Sequence, residues 1–227
     1  MLYRKDLFNK NTICIFTDAS YCSDNNGSTC SGYCVYYDDI LVEQNFIIET
    51  NTTTQRGELN AILLGVDASY NYRNYKINLF SDSQTSIFAI RDRYTRWYKD
   101  TLSGINILGD DGTIKNQDLI SSIITRIAEN KIPISLYHNK GHVKTHLKED
   151  FQHAKDVFRK SNNIYEEIDD ALMFQICNGN NQVDAYTRFM LYNYIELFED
   201  YPSPAIEMGG IVTEYIYNTY YDLIKKS

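Results

Sequence analysis

The sequence predicts a mixed α/β domain: a five-stranded sheet, three antiparallel strands followed by two parallel ones, flanked by helices. Three observations carry that prediction. Short apolar, β-rich runs crowd the early part of the chain with only turn residues between them. Further on, apolar residues recur at helical spacing, and two more short strand-like runs stand among those helices. The resulting order, β-β-β-α-β-α-α-β-α, is that of a mixed sheet and not of a uniform βαβ repeat.

Ile13 to Thr17 is the first strand, and Ser23 to Ser28 reads as a polar turn. Ser31 to Tyr37 and Leu41 to Glu49 are the next two, with Asp38-Asp39 as a tight hairpin between them. Thr52, Thr53 and Thr54 are N-cap residues for a helix whose core face is Leu59, Ile62, Leu63 and Val66. Lys76 to Phe80 is the fourth strand, and Ser81-Asp82-Ser83 leads into a helix over about Gln84 to Arg91, with a separate short helix at Tyr94 to Lys99. Thr101 to Lys115 reads as loop, Gln117 to Glu129 as an amphipathic helix and Ile132 to Tyr137 as the fifth strand. Beyond it, Leu147 to Arg159 and Ile164 to Phe174 read as helices, Asn178-Gly179-Asn180-Asn181 as a turn, and Gln182 to Phe198 as helix again. Tyr201-Pro-Ser-Pro204 stops that helix, and Ile211 to Lys226 forms a further amphipathic one.

At 227 residues, with 43% hydrophobic and 23% charged, the chain suits one globular domain with an elaboration. Apolar runs such as Ala61 to Val66 are far too short to span a bilayer, and the first residues lack the apolar stretch of a secretory signal. Five cysteines without a Cys-x-x-Cys pair argue for reduced, structural thiols. The expectation is a cytoplasmic protein with no membrane partner. Its oligomeric state is not legible.

The net charge of −8 tells against a generic nucleic-acid binder, which shows a basic footprint. Local charge differs from the total: Lys140 to Lys160 holds six basic side chains against three acidic ones, and Arg91, Arg93, Arg96 and Lys99 surround Trp97. Solvated helix faces are the plain alternative for both stretches.

Four separated segments each place one acid at a strand end or near a helix start: Asp18 in Thr17-Asp18-Ala19-Ser20, Glu58 in Gln55-Arg56-Gly57-Glu58, Asp82 in Ser81-Asp82-Ser83-Gln84, and Asp184 after Asn180. Binding sites in α/β sheets gather at the carboxyl ends of strands, so Asp18 and Asp82 are well placed to meet. Carboxylates converging from several elements read as a site for hard divalent cations, and two such ions activate a water and stabilise the leaving oxygen of a phosphodiester.

In order and in context these segments, with Lys140-Gly141-His142, resemble the motifs of type 1 ribonuclease H over about residues 11 to 195. The resemblance implies the RNase H-like fold and a two-metal endoribonuclease that cuts the RNA strand of RNA–DNA hybrids, leaving a 5′-phosphate. It implies Mg²⁺ as cofactor, with Mn²⁺ as a substitute. Asp18 would bridge the ions, Glu58 and Asp82 would complete one coordination sphere, and Asp184 the other. His142 would assist proton transfer or product release. Ser20, Gln55, Arg56, Gln84, Asn116 and Lys140 would contact substrate.

Two departures stand out. Thr54 occupies a position where the family usually has Asn, and the stretch from Lys99 to Asn116 lacks a basic protrusion. A helical insertion at about 143–178 within a catalytic domain of residues 1–200 is expected to supply part of the grip through Lys144, Lys148, Lys155 and Lys160. Residues 201–227 are expected to be a C-terminal helical extension. The alternatives are a nuclease of this fold acting on DNA and a non-catalytic nucleic-acid-binding domain. A proofreading-type exonuclease would need Asp-x-Glu where Asp18-Ala19-Ser20 stands.

Overall fold

The computed structural model describes residues 11–23, 27–101, 115–130 and 134–200. Strands β1 (Thr12–Cys22), β2 (Ser28–Tyr37) and β3 (Ile40–Glu49) form an antiparallel meander. Strands β4 (Lys76–Ser81) and β5 (Ile134–His138) add on the other side of β1, both parallel. The order β3-β2-β1-β4-β5 is the predicted mixed sheet. Asp38 and Asp39 turn the β2–β3 hairpin with φ of 49° and 65°, the left-handed pair whose twist matches the strands.

Five α-helices are described: α1 (Thr54–Ser69), α2 (Gln84–Thr101), α3 (Gln117–Asn130), α4 (Lys148–Ser161) and α5 (Asp170–Asp200), with a 3-10 turn at Tyr70–Tyr72. Of the three threonines before α1, Thr53 is the cap, its hydroxyl accepting from the Arg56 N–H.

Period-two alternation sorts β1 and β4 onto two cores. Ile13, Ile15, Ile77 and Leu79 pack with α1, α2 and α3, whereas Cys14, Phe16 and Phe80 pack with α4 and α5. On the second face the rings of Phe16, Phe80, Tyr137 and Phe158 stack in succession, with centroids 4.9, 5.3 and 5.9 Å apart. Each such contact contributes about 0.5–1.5 kcal/mol beyond burial. The ladder crosses β1, β4 and β5 just below the strand ends and locks their register there.

Four elements differ from expectation. Strand β1 does not stop at Thr17 but runs on to Cys22, because its pairing with β2 continues to Ser28, so Asp18 lies inside the strand and not at its end. Helix α2 runs unbroken to Thr101, since neither Gly nor Pro interrupts it. Ile164 and Ile168 are core residues of a non-helical segment, and helix begins only at Asp170, where the Asp169 carboxylate accepts from the Ala171 N–H at 3.0 Å. The turn expected at Asn178 to Asn181 is instead the interior of α5. Gly179 serves close approach there: a Cβ would overlap the Phe16 ring, so its absence lets the helix lie on the sheet. The loop between Thr101 and Lys115, the stop at Tyr201 to Pro204 and the tail helix lie outside the described residues. Among the described residues, no helix is long and apolar enough to cross a membrane.

Candidate metal centre and its cleft

Parallel pairing of Thr17 with Ser81 sets the residues that follow, Asp18 within β1 and Asp82 just past the end of β4, side by side where that pairing stops. Thr17 Oγ1 donates to the Phe80 carbonyl at 3.2 Å and ties the two ends together. Glu58 arrives from the first turns of α1, which Ser31 Oγ anchors to β2 through the Gly57 carbonyl at 2.9 Å. One carboxylate oxygen from each of Asp18, Glu58 and Asp82 lies within 4.8 Å of the others.

Burial pushes the Asp18 and Glu58 carboxyls well above the usual carboxylate range, and their mutual repulsion with Asp82 pushes further. Hydrogen bonds from the Ala19 N–H work the other way on both. Asp82 is raised too, chiefly by burial, with Asn180 and His142 opposing. Glu58 Oε2 is buried with no hydrogen-bond partner. Clustered hard oxygens, one of them orphaned, are the donor set that Mg²⁺ or Mn²⁺ satisfies, so these residues fit a divalent ion.

Asp184 reaches the same cleft from α5 and adds to the repulsion on Asp18 and Asp82. It is held differently. Arg188 grips both its oxygens, at 2.7 and 2.9 Å, and His142 Nδ1 lies 3.4 Å from Oδ2. His142 is exposed, at a left-handed φ of 52°. Gly141 before it needs to be small, because a Cβ there would collide with the Asp82 carboxylate.

The cleft, about 870 Å³, is lined by all four acids and by Ser20, Gln55 and His142. The Ser20 and Thr187 hydroxyls lie 3.0 Å apart, linking β1 to α5. Other residues with expected substrate roles stand elsewhere. Arg56 makes a two-pronged pair with Asp118 (2.7 and 3.0 Å) and reaches Asn116 at 3.4 Å, so these three form one cluster beside the cleft. Gln84 is exposed on the first turn of α2, outside the lining. Lys140 is bound to Asp150 at 2.8 Å. Among the expected gripping lysines, Lys155 is buried against Asp170 at 2.6 Å, while Lys144, Lys148 and Lys160 are exposed. All five cysteines are free, and burial pushes the Cys34 and Cys177 thiols up to about 12.

The structure adds residues that sequence reasoning did not assign. Asn180, fully buried inside α5, donates to Asp82 Oδ2 at 3.4 Å. Its misreading as a turn residue hid that role, although its fixed spacing before Asp184 was visible. His138, buried at the end of β5, meets the Asp82 carbonyl through Nε2 at 3.2 Å. Asn162 clasps the His138 backbone, accepting from its N–H at 3.0 Å and donating to its carbonyl at 2.7 Å. The end of α4 is thereby tied to the strand beside Asp82. No sequence signal marks Asn162, since its partner is distant in the chain.

A five-stranded mixed sheet with helices on both faces and acids side by side where its two central parallel strands part defines a class with the RNase H-like architecture. The family model described as RNase H matches residues 10–160, so the chain belongs to the RNase H family. No curated protein matches the sequence. Among solved structures, the PFV RNase H domain in solution is similar at 17% identity and a TM-score of 0.50, covering 67% of this chain and 94% of that one. The foamy viral protease-reverse transcriptase in complex with an RNA/DNA hybrid is similar at 13% identity and a TM-score of 0.51, covering 71% of this chain and 22% of that one. This chain thus corresponds to about a fifth of that protein's length. At these identities the likeness is one of fold.

Proposed function

We propose that this chain is a metal-dependent endoribonuclease that hydrolyses the RNA strand of RNA–DNA hybrids and leaves 5′-phosphate ends. The observation that carries the reading is the meeting of Asp18, Glu58 and Asp82 within 4.8 Å, with a buried, unpartnered oxygen on Glu58. Clustered buried acids are destabilising without a cation, so their presence together points to use. Asp18 would be shared between two Mg²⁺ ions, with Glu58 and Asp82 holding one and Asp184 the other. When bound, the ions lower the pKa of the attacking water and offset charge on the scissile phosphate.

The protein's own groups have separate tasks on this reading. The last parallel pair of β1 and β4 fixes the spacing of Asp18 and Asp82, while Asn180 and the small Gly141 set the Asp82 carboxylate. His142, exposed beside Asp184, holds or passes a proton at its ring nitrogen, a task suited to an imidazole. Ser20 and Gln55 offer hydrogen-bonding groups on the cleft wall for the RNA 2′-hydroxyls that distinguish hybrid from DNA. The Arg56–Asp118–Asn116 cluster fixes the start of α3 against α1, and we assign it support of the substrate wall. Lys144, Lys148 and Lys160, not Lys155, remain to grip the hybrid from the segment about 143–178, read as an insertion.

Labelled RNA–DNA hybrid, duplex DNA, duplex RNA and single strands, each with Mg²⁺ or Mn²⁺, test the reading beside the Asp82→Asn variant. Wild type is expected to cut only the RNA of the hybrid, and the variant to leave it whole. Intact hybrid under both metals, with another substrate cut, overturns it.

A further inference from the structure

Arg188 stands one helical turn beyond Asp184 on α5, half exposed, and lines the same cleft. A single guanidinium nitrogen, Nη2, makes both contacts with the Asp184 carboxylate. Nη1 and Nε have no protein partner among the described residues. An always-charged guanidinium with spare N–H donors in an acid-lined cleft matches an anion that enters with the substrate, and a phosphate oxygen accepts such a charge-assisted hydrogen bond. The cleft also continues past Arg188 along the same helix, over Leu191 and Tyr192, the latter 60% exposed. A bound strand therefore has a path along α5 away from the carboxylates, and its next phosphates would pass Arg188.

We infer that Arg188 contacts a backbone phosphate of the bound strand on the α5 side of the carboxylates. Its Nη2 keeps hold of Asp184 while Nη1 donates to a phosphate oxygen. The inference rests on the nuclease reading in taking a nucleic-acid strand as the occupant, and it adds a contact that no residue of the sequence motifs supplies.

The test measures binding without cleavage. Asp82→Asn protein, alone or combined with Arg188→Ala or Arg188→Lys, is titrated by anisotropy with labelled RNA–DNA hybrid between about 50 and about 300 mM salt. Arg188→Ala is expected to weaken binding roughly five- to tenfold near 0.1 M salt and to lower the salt slope by about one, the signature of a lost phosphate contact. Arg188→Lys keeps the charge and is expected to keep the slope. An unchanged slope in Arg188→Ala overturns the inference, as does a failure of the Asp82→Asn protein to bind any of the nucleic acids in the cleavage panel. If wild type cuts a different nucleic acid, the hybrid reading falls, and the same slope comparison on that substrate still decides the role of Arg188. Circular dichroism of each variant separates a lost contact from a lost fold.

Discussion

The two sides of the cleft hold their acids in opposite ways. On the strand side, Asp18, Glu58 and Asp82 are built into the sheet and the first turns of α1, sunk in the protein and crowded together. On the helix side, Asp184 projects from α5 and is already neutralised by Arg188, with His142 nearby. A rigid, uncompensated cluster stores repulsion that a divalent ion relieves, whereas a carboxylate already paired with a guanidinium has less repulsion to lose. The strand side should therefore dominate both metal affinity and chemistry, and the helix side should tune them.

The sharpest way to break that contrast is to remove a strand-side acid. Asp18→Asn is expected to reduce hybrid cleavage about a thousandfold or more, several kcal/mol of transition-state stabilisation, read as kcat/KM in Mg²⁺. Retention of a tenth of wild-type activity would place the chemistry elsewhere.

Stability gives a second handle with a definite sign. The folded Asp18 and Glu58 carboxyls lie above their unfolded values, so their contribution is fully present below the unfolded pKa, near 4, and is lost as pH rises through the folded pKa. In chelator, Asp18→Asn should be more stable than wild type at about pH 7.5, and the gap should shrink toward about pH 4 in urea unfolding. Mg²⁺ at about a hundred times its Kd should stabilise wild type by about 2.7 kcal/mol and the variant far less. A gap independent of both pH and Mg²⁺ would mean that the cluster stores no repulsion.

Asp184→Asn is expected to do less, roughly a tenfold fall in kcat/KM, about 1.4 kcal/mol, because Arg188 already shares its charge. A loss equal to that of Asp18→Asn would erase the distinction between the two sides. Smallest of all is Arg56→Ala, which breaks an exposed pair with Asp118 and should lower stability by about 1 kcal/mol or less in thermal unfolding.

What the sequence revealed divides along the same line. The strand-side acids were legible because each follows a short apolar run or stands near a helix start, and both patterns are local signals, although β1 runs on past Asp18. The five strands followed from the same signal, and the antiparallel meander of the first three from the short turns between them. The helix side was harder to read. Asn178-Gly179-Asn180-Asn181 has the composition of a turn, yet Phe16 provides a flat surface that Gly179 alone can approach, and the helix continues through it. Ile164 and Ile168 carry helical spacing but act as anchors of an irregular segment. Lys140 and Lys155 looked available as cations until tertiary partners, Asp150 and Asp170, claimed them. Each of these outcomes depends on a contact between residues whose meeting no local pattern encodes.

A calorimetric titration of Mn²⁺ into the full chain tests the difference between the two sides most directly. The account predicts one tighter ion and one weaker ion in wild type, loss of only the weaker in Asp184→Asn, and loss of both in Asp18→Asn. Equal binding by wild type and Asp18→Asn, or no binding by wild type, would contradict it.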